Sequence, residues 1–389
     1  MENLKSSSGI LDLGIIGGGP AGTAAALEAR HHGLSVAVWE RDHFPRDKVC
    51  GEFVSSEAIP FLQTEIPAAV ATGTAIRCAE FVTDQRVSRT FRLPRPALGV
   101  SRRRLDIALW RAAEAAGAEA YEGECVQAVR RQSSGDGRAG HWEVKSDRGS
   151  IRTAKALVVA CGRWWGIEGL SSPARYGDQP SGEWVGLKAH FAGVPARSKV
   201  EMYFFAGGYC GIAPVEDGAC NVCCLVHREK FREYGSTGLD DFAGWLGEIS
   251  RLTTLQARLQ GGRQLSPVVT TAPVHLARRQ ATQRGALMVG DASGFIDPFT
   301  GEGISMALHS GGLAARTVAA MLLEGFSAEH AGEIYGQGLA RAVQRSYRIA
   351  AITRCMVHGP EWLRRLIATP LPWIGRHLVL RTRWRETRK

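Results

Sequence analysis

Gly17-Gly18-Gly19-Pro20-Ala21-Gly22 follows the mostly apolar run 11–16 and opens an alanine-rich segment, 23–29. That order of strand, tight turn and helix is the context a dinucleotide phosphate loop requires. Gly17 permits the turn, Gly19 has no Cβ to block a pyrophosphate, and Gly22 lets the helix pack closely on the strand. The helix N-terminus adds unpaired N–H groups and the positive end of a dipole. Glu40 closes a second apolar run, Val36-Ala37-Val38-Trp39, 18 residues beyond Gly22. This is the place for a carboxylate that accepts from ribose hydroxyls. Glycine-rich turns are common on their own; the flanking strands and Glu40 make this one a phosphate loop.

A second signature selects the nucleotide. Ala286-Leu287-Met288-Val289 reads as a short buried strand delivering Gly290 and Asp291 at its end, with Asp291 placed to accept from a polyol. Pro298, Gly301 and Gly303 precede a small-residue helix predicted over 304–323, which begins at Ile304. A helix N-terminus there can aim free N–H groups at the pyrimidine edge of an isoalloxazine, where negative charge collects on reduction. The plainer alternative is a glycine-punctuated loop capping a core helix. The order of the two signatures favours bound FAD.

These pieces, with Phe44-Pro45-Arg46-Asp47-Lys48-Val49-Cys50-Gly51-Glu52 and Arg102-Arg103-Arg104-Leu105-Asp106, give the chain its likeness to known proteins. It resembles FAD-dependent oxidoreductases with the glutathione reductase-like FAD fold of the aromatic hydroxylase class, and within them the geranylgeranyl reductase family. Lys48-Val49-Cys50-Gly51 carries the reductase likeness; Phe44-Pro45-Arg46 and Gly51-Glu52 are also similar to flavin-dependent halogenases. The resemblance implies an α/β fold, a Rossmann-type FAD lobe with an antiparallel β substrate lobe. Three departures stand out. Cys161 takes the place of the Asp in the class's central Asp-Gly pair. Tyr209-Cys210-Gly211-Ile212-Ala213-Pro214 replaces an aromatic-rich strand, so Gly211 and Ala213 vacate volume. Trp164 and Trp165 lack the halogenase spacing.

A chain of 389 residues with 44% hydrophobic and 22% charged content can bury the cores of two lobes. No run of 18 apolar residues is present and residues 1–9 do not read as a signal peptide, so a cytoplasmic location is expected. Nine cysteines without regular spacing read as thiols rather than a disulfide framework, and Cys220, Cys223 and Cys224 as packed strand thiols rather than a metal site. No metal is expected. The net charge of +10 gathers in 376–389, with six Lys or Arg and one acidic residue beside Trp373 and Ile374. This suits peripheral contact with an anionic membrane, and equally a solvated tail. No nucleic-acid motif accompanies the charge.

The lobes alternate along the chain. The FAD-binding lobe is expected over 9–78, 99–175 and 280–325, and the substrate lobe over 79–98, broken by Pro94 and Pro96, and over 176–279. Helices and a basic tail are expected over 326–389. Gly135 and Gly137 mark a hairpin turn. No internal repeat is present.

The candidate cofactor residues are Gly17, Gly19, Gly22, Glu40, Arg41, Arg102, Asp291, Pro298, Gly301, Gly303 and Ile304. The resemblance implies a phosphate-side contact for Arg102, in competition with Arg103 and Arg104. A basic helix N-terminus is unfavourable without an anion or carboxylate nearby. Arg41 reaches either the adenosine side or a surface ion pair. The resemblance also places Cys50 by flavin and substrate, as a thiol proton donor or positioning group; the alternative is a small buried hydrophobe. Tyr209, on a predicted cavity wall, is the second catalytic candidate, or a core tyrosine. His190, His227, His275 and His309 are assigned no chemistry. The expected partners are an apolar small-molecule substrate and an external electron donor: NAD(P)H, reduced flavin or a redox protein. Three activities stay open: reduction of a C=C bond, monooxygenation of an aromatic or lipophilic molecule, and flavin binding without turnover.

Overall fold

A computed structural model describes residues 9–83, 87–132, 140–163, 166–170, 184–235, 239–276 and 278–358. Its first sheet is built on Leu11–Ile16, whose neighbours on either side, Val36–Glu40 and Ile151–Val159, run parallel to it. Ala286–Met288 and Glu119–Glu122 extend the parallel set outward. A hairpin, Val126–Gln132 with His141–Ser146, attaches along Ile151–Val159. Parallel strands are covered on both faces, so they read as nearly continuous apolar runs. Val36–Glu40 is buried at every position.

Helix Pro20–His31 packs on helix Gly303–Glu324 so closely that a Cβ on Gly311 would lie 2.1 Å from the Ala21 carbonyl oxygen. That second helix has the length and hydropathy of a membrane span, yet most of it is buried as a core helix. Both helices pack with Leu13, Ile15, Val38 and Leu109 in one hydrophobic core, each large side chain contributing about 1.5–3 kcal/mol.

The second sheet is mostly antiparallel: Trp184–Ala192, Cys220–His227, Gly208–Pro214 and Lys199–Phe205, then Thr74–Thr83 parallel to the last, then Val87–Gly99 and Phe53–Val54. Strand side chains alternate between faces. Val185, Leu187, Ala189 and Phe191 therefore join Cys220, Val222 and Cys224 under helices Phe242–Ser250 and Thr253–Leu259. Trp184, Gly186, Lys188 and His190 take the other face, with their register partners His227, Leu225, Cys223 and Asn221.

Two expectations are corrected. The boundary at 78/79 falls inside Thr74–Thr83, which belongs wholly to the substrate sheet. Pro94 and Pro96 do not break the next segment; Val87–Gly99 is one strand. Its register against Thr74–Thr83 jumps from Ala97 to Arg92 at a bulge, so both prolines sit where no ladder hydrogen bond is needed. Residues 133–139, 164–165 and 359–389, and with them the hairpin turn, the Trp pair and the basic tail, lie outside the described residues.

Candidate active site

A cleft of about 620 Å³ runs between the two sheets. Gly17, at φ +109°, makes the turn after the first strand, and a Cβ on Gly22 would lie 1.8 Å from the Gly17 carbonyl oxygen. Gly19 differs: a Cβ there would come no closer than 4.0 Å to its nearest neighbours, Nη2 of Arg46 and Nη2 of Arg102. The glycine therefore opens a cradle toward two guanidinium groups, which fits a pyrophosphate. Trp39 Nε1 and Arg46 Nε, on two cleft-lining residues, are buried donors without hydrogen-bond partners. The residues present fit FAD.

Glu40 lines the cleft, but its carboxylate also organises the protein. It accepts from Gly18 N at 2.8 Å, from Asp42 N at 3.0 Å and from Arg46 Nη2 at 3.0 Å. Burial disfavours its charge, and Arg46 more than compensates, so its pKa falls below the usual carboxylate value. A ribose hydroxyl here has to share Glu40 with Arg46. Arg41 sits half exposed at the rim, 3.8 Å from Asp42.

Each arginine at the start of helix Arg102–Ala115 has its own carboxylate. Arg102 grips Asp106 with two bonds of 2.6 and 2.8 Å, Arg103 meets Asp47 at 3.0 Å, and Arg104 meets Asp217 at 2.9 Å. Of the three, Arg102 lines the cleft. Gly290, Asp291, Pro298, Gly301, Gly303 and Ile304 line it from the other side, and helix Gly303–Glu324 starts there. Burial raises the Asp291 pKa against the pull of Arg163, whose Nε is 3.8 Å away. Asp291→Ala is expected to weaken FAD by about 1–3 kcal/mol through loss of a charged acceptor. Fluorescence titration of apoprotein measures this; an unchanged Kd would place Asp291 outside the cofactor contacts.

The cleft shares a wall with a second cavity of about 140 Å³. Val49, Cys50, Gly51, Phe53, Phe295 and Pro298 border both. The second cavity is mainly apolar, enclosed by Phe81, Phe91, Leu93, Met202, Leu225 and Phe299. Gly211 and Ala213 line it too, and a Cβ on Gly211 would press on Met202 Sδ at 3.2 Å.

Tyr209 contributes its ring to this cavity and packs edge-on to Phe299. Its O–H donates to Asp297 Oδ1 at 3.0 Å, and burial together with that carboxylate pushes its pKa well up. That bond ties the hydroxyl to the loop that Asp297 caps, the arrangement expected of the core-tyrosine reading. Tyr209→Phe is expected to cost about 1.5–3 kcal/mol, as for a hydrogen bond to a charged group, and to leave turnover near wild type. Urea unfolding and steady-state assays check both; a large loss of turnover at full stability would restore the hydroxyl to the chemistry.

The loop that carries Cys50 is tied to the substrate sheet by buried charges. Glu52 is fully buried at φ +53°, a backbone region costing a non-glycine residue about 1–2 kcal/mol. It accepts from Lys188 Nζ at 2.8 Å and from Arg102 N at 2.8 Å, and pairs with His190 Nε2 at 2.6 Å. Lys188 also donates to Asp47 at 3.0 Å. Burial disfavours the ammonium, but Glu52 and Asp47 hold its pKa above the ordinary value. Asn221 Nδ2 donates to the Cys50 carbonyl at 2.9 Å.

Sequence reasoning missed Arg46, Glu52, Lys188, His190 and Arg163 as site residues. Arg163, 4.4 Å over the Phe295 ring, lines both cavities. Its signal was the strand end just before it. Cys161, in the Asp position, donates its thiol to the Ile16 carbonyl at 3.3 Å, with burial pushing its pKa up to about 12. Cys220 and Cys224 lie on the opposite face of their strand from Cys223, so the three thiols do not converge.

The fold and the cleft define an FAD-dependent oxidoreductase. The sequence profile of the FAD binding domain matches residues 12–46. Among curated proteins the chain is 25% identical over 355 residues to flavin-dependent halogenase armH1 of Armillaria mellea, covering 82% of this chain and 66% of that protein. It is 26% identical over 332 residues to digeranylgeranylglycerophospholipid reductase 2 of Methanopyrus kandleri, covering 80% and 78%. Among solved structures, flavin-dependent brominase Bmp2 superimposes with TM-score 0.75 at 19% identity, covering 95% of this chain and 93% of that one. A geranylgeranyl bacteriochlorophyll reductase-like protein of Thermoplasma acidophilum gives TM-score 0.75 at 19% identity, covering 96% and 95%.

Proposed function

We propose that the protein reduces a C=C bond of an apolar, isoprenoid-like or polyketide-like substrate. One observation carries the reading: the Cys50 thiol stands in the wall shared by the cofactor cleft and the apolar cavity. FAD, once bound and reduced by an external donor, supplies a hydride. The aromatic and aliphatic walls orient the substrate by excluded water and shape. Cys50 holds the proton for the second carbon; burial pushes its pKa up, so the thiol is protonated at neutral pH. Anaerobic incubation of dithionite-reduced protein with polyprenyl substrates tests this by mass spectrometry. A gain of two mass units supports it, and unaltered substrates across that panel overturn it.

The likeness to halogenases and a brominase favours a second reading, an O2-using enzyme acting on an aromatic or lipophilic molecule. Oxygen uptake by the reduced protein, coupled to an oxygenated or halogenated product, separates this from the first. A cytoplasmic location with peripheral membrane contact through 376–389 accompanies the reductase reading, because a lipid-borne substrate partitions to that surface.

A further inference from the structure

We propose that Arg163 is the oxyanion site of the apolar cavity: it holds the carbonyl or carboxylate oxygen of a substrate whose reducible C=C bond is conjugated to that group. The proposal rests on the reductase reading and narrows it, from apolar alkenes at large to α,β-unsaturated carbonyl compounds with a hydrocarbon tail.

Among the described residues that enclose this cavity, Arg163 is the one with a charged side chain; the rest are apolar, glycine, thiol or hydroxyl residues. It follows the end of strand Ile151–Val159, and its side chain, 12% exposed, crosses to the substrate sheet. There Nη2 donates at 3.3 Å to Oγ1 of Thr271, on the strand Val269–Val274 that pairs with Trp184–Ala192. The guanidinium carbon lies 4.4 Å over the Phe295 ring, and Nε is 3.8 Å from Asp291 Oδ2 on the cleft side. Arg279 Nη1 donates to the Arg163 backbone carbonyl at 3.3 Å and holds the chain in place. Arg163, Thr271, Phe295 and Cys50 all border both the cavity and the cofactor cleft. The shared wall thus carries a fixed cation as well as a thiol.

Taking water from a guanidinium is costly unless other oxygens replace it. A purely hydrocarbon ligand would displace water from Arg163 and offer nothing in return. A carbonyl or carboxylate oxygen reverses the sign, because the planar fork of N–H donors matches it and each bond gains strength in a dry site. The chemistry asks for the same group. Hydride adds to an electron-poor carbon, and an isolated C=C bond has none, whereas conjugation to a carbonyl makes the β-carbon electrophilic. In the balanced step the hydride, with its two electrons, comes from reduced FAD and forms the β-carbon's new C–H bond. The π pair of the C=C bond shifts to give an enolate whose oxygen faces Arg163. The α-carbon then takes a proton from Cys50, and water restores the thiol. Donors already fixed where negative charge develops lower the barrier without reorganising.

The test compares geranic acid, geranial and geraniol on the full-length, FAD-loaded protein. The probes share one hydrocarbon chain and differ in bearing a conjugated carboxylate, a conjugated aldehyde or no carbonyl. Binding is read without turnover, from the shift in the absorption of oxidised flavin. An apolar cavity without a cation would favour the alcohol, since burying a carboxylate is costly. With Arg163 in the wall, geranic acid is expected to bind the wild-type protein at least about tenfold more tightly than geraniol. Arg163→Met, which keeps an apolar side chain against Phe295, is expected to weaken geranic acid about 10- to 150-fold and to leave geraniol within about threefold.

Wild-type protein that binds geranic acid no better than geraniol, or an Arg163→Met variant that weakens both probes equally, overturns the proposal. If Arg163→Met does not retain FAD, Thr271→Val decides: loss of the hydroxyl that orients the guanidinium should weaken geranic acid about 2- to 10-fold and spare geraniol, and an equal effect on both counts against. Mass spectrometry after anaerobic incubation with the reduced protein judges the reductase reading separately. No gain of two mass units in any probe, with the binding preference intact, removes that reading and leaves Arg163 as an oxygen site. Geraniol reduced as fast as geranial keeps the reading and overturns the role of Arg163. Faster reduction of geranial supports a neutral carbonyl at Arg163, and faster reduction of geranic acid supports a carboxylate there.

Discussion

Gly19→Val is expected to yield a folded protein that purifies with less than about a tenth of the wild-type flavin, because its side chain enters space meant for a pyrophosphate. The protein itself has room for the change. Gly19 sits at φ −75°, which any residue adopts, and the nearest atoms to an added Cβ are the guanidinium nitrogens at 4.0 Å. The branched methyl groups hold phosphate oxygens away from the helix N-terminus and from Arg46 and Arg102, so the contacts that depend on close approach are lost together. The unfolding temperature of the apoprotein should match wild-type apoprotein. Gly22→Ala is the contrasting control. Its Cβ would lie 1.8 Å from a carbonyl oxygen, so it is expected to damage the fold before the cofactor is considered. A Gly19→Val protein carrying full flavin would refute the phosphate-loop assignment.

How much of this site can be read from sequence depends on how local its signals are. The phosphate loop is legible because glycine positions, strand and helix lie within one short segment. The strand Trp184–Ala192 is legible as alternation, and its apolar face lies on the helices as that pattern implies. The meaning of Lys188 and His190 on the other face is not legible. Their partner Glu52 is 136 and 138 residues away, and only the stacking of the two sheets brings them together. A lone histidine or lysine in a strand carries no sign of such a partner. Arg46 was quoted within a motif but gained no role, since its approach to Gly19 depends on the path of the 41–52 loop. Pro94 and Pro96 misled for a related reason: a proline reads as a strand breaker unless the register jump opposite it is known.

Cys50→Ala is the variant with the largest expected effect on turnover, and it also decides between the two readings of this residue. As the proton donor, Cys50 acts in the chemical step alone. Its removal should lower turnover by roughly tenfold or more while FAD content and thermal stability stay near wild type. The alanine leaves a small gap without adding a polar group, so packing loss is held to a minimum. Cys50→Ser complements it, since a serine hydroxyl is a far weaker acid at the same place. If Cys50 is instead a packed hydrophobe, burying that hydroxyl should cost about 1–3 kcal/mol of stability and leave turnover little changed. The structure adds a reason to expect the catalytic outcome. A small apolar filler needs no hydrogen bond to its sulfur, yet Glu52 N–H donates to Cys50 Sγ at 3.4 Å. Turnover is measured with saturating substrate, and single-turnover rates separate chemistry from product release. Wild-type turnover in Cys50→Ala would eliminate the thiol. Tyr209, whose hydroxyl is held by Asp297, or water admitted along the cleft would then be the next proton source to test.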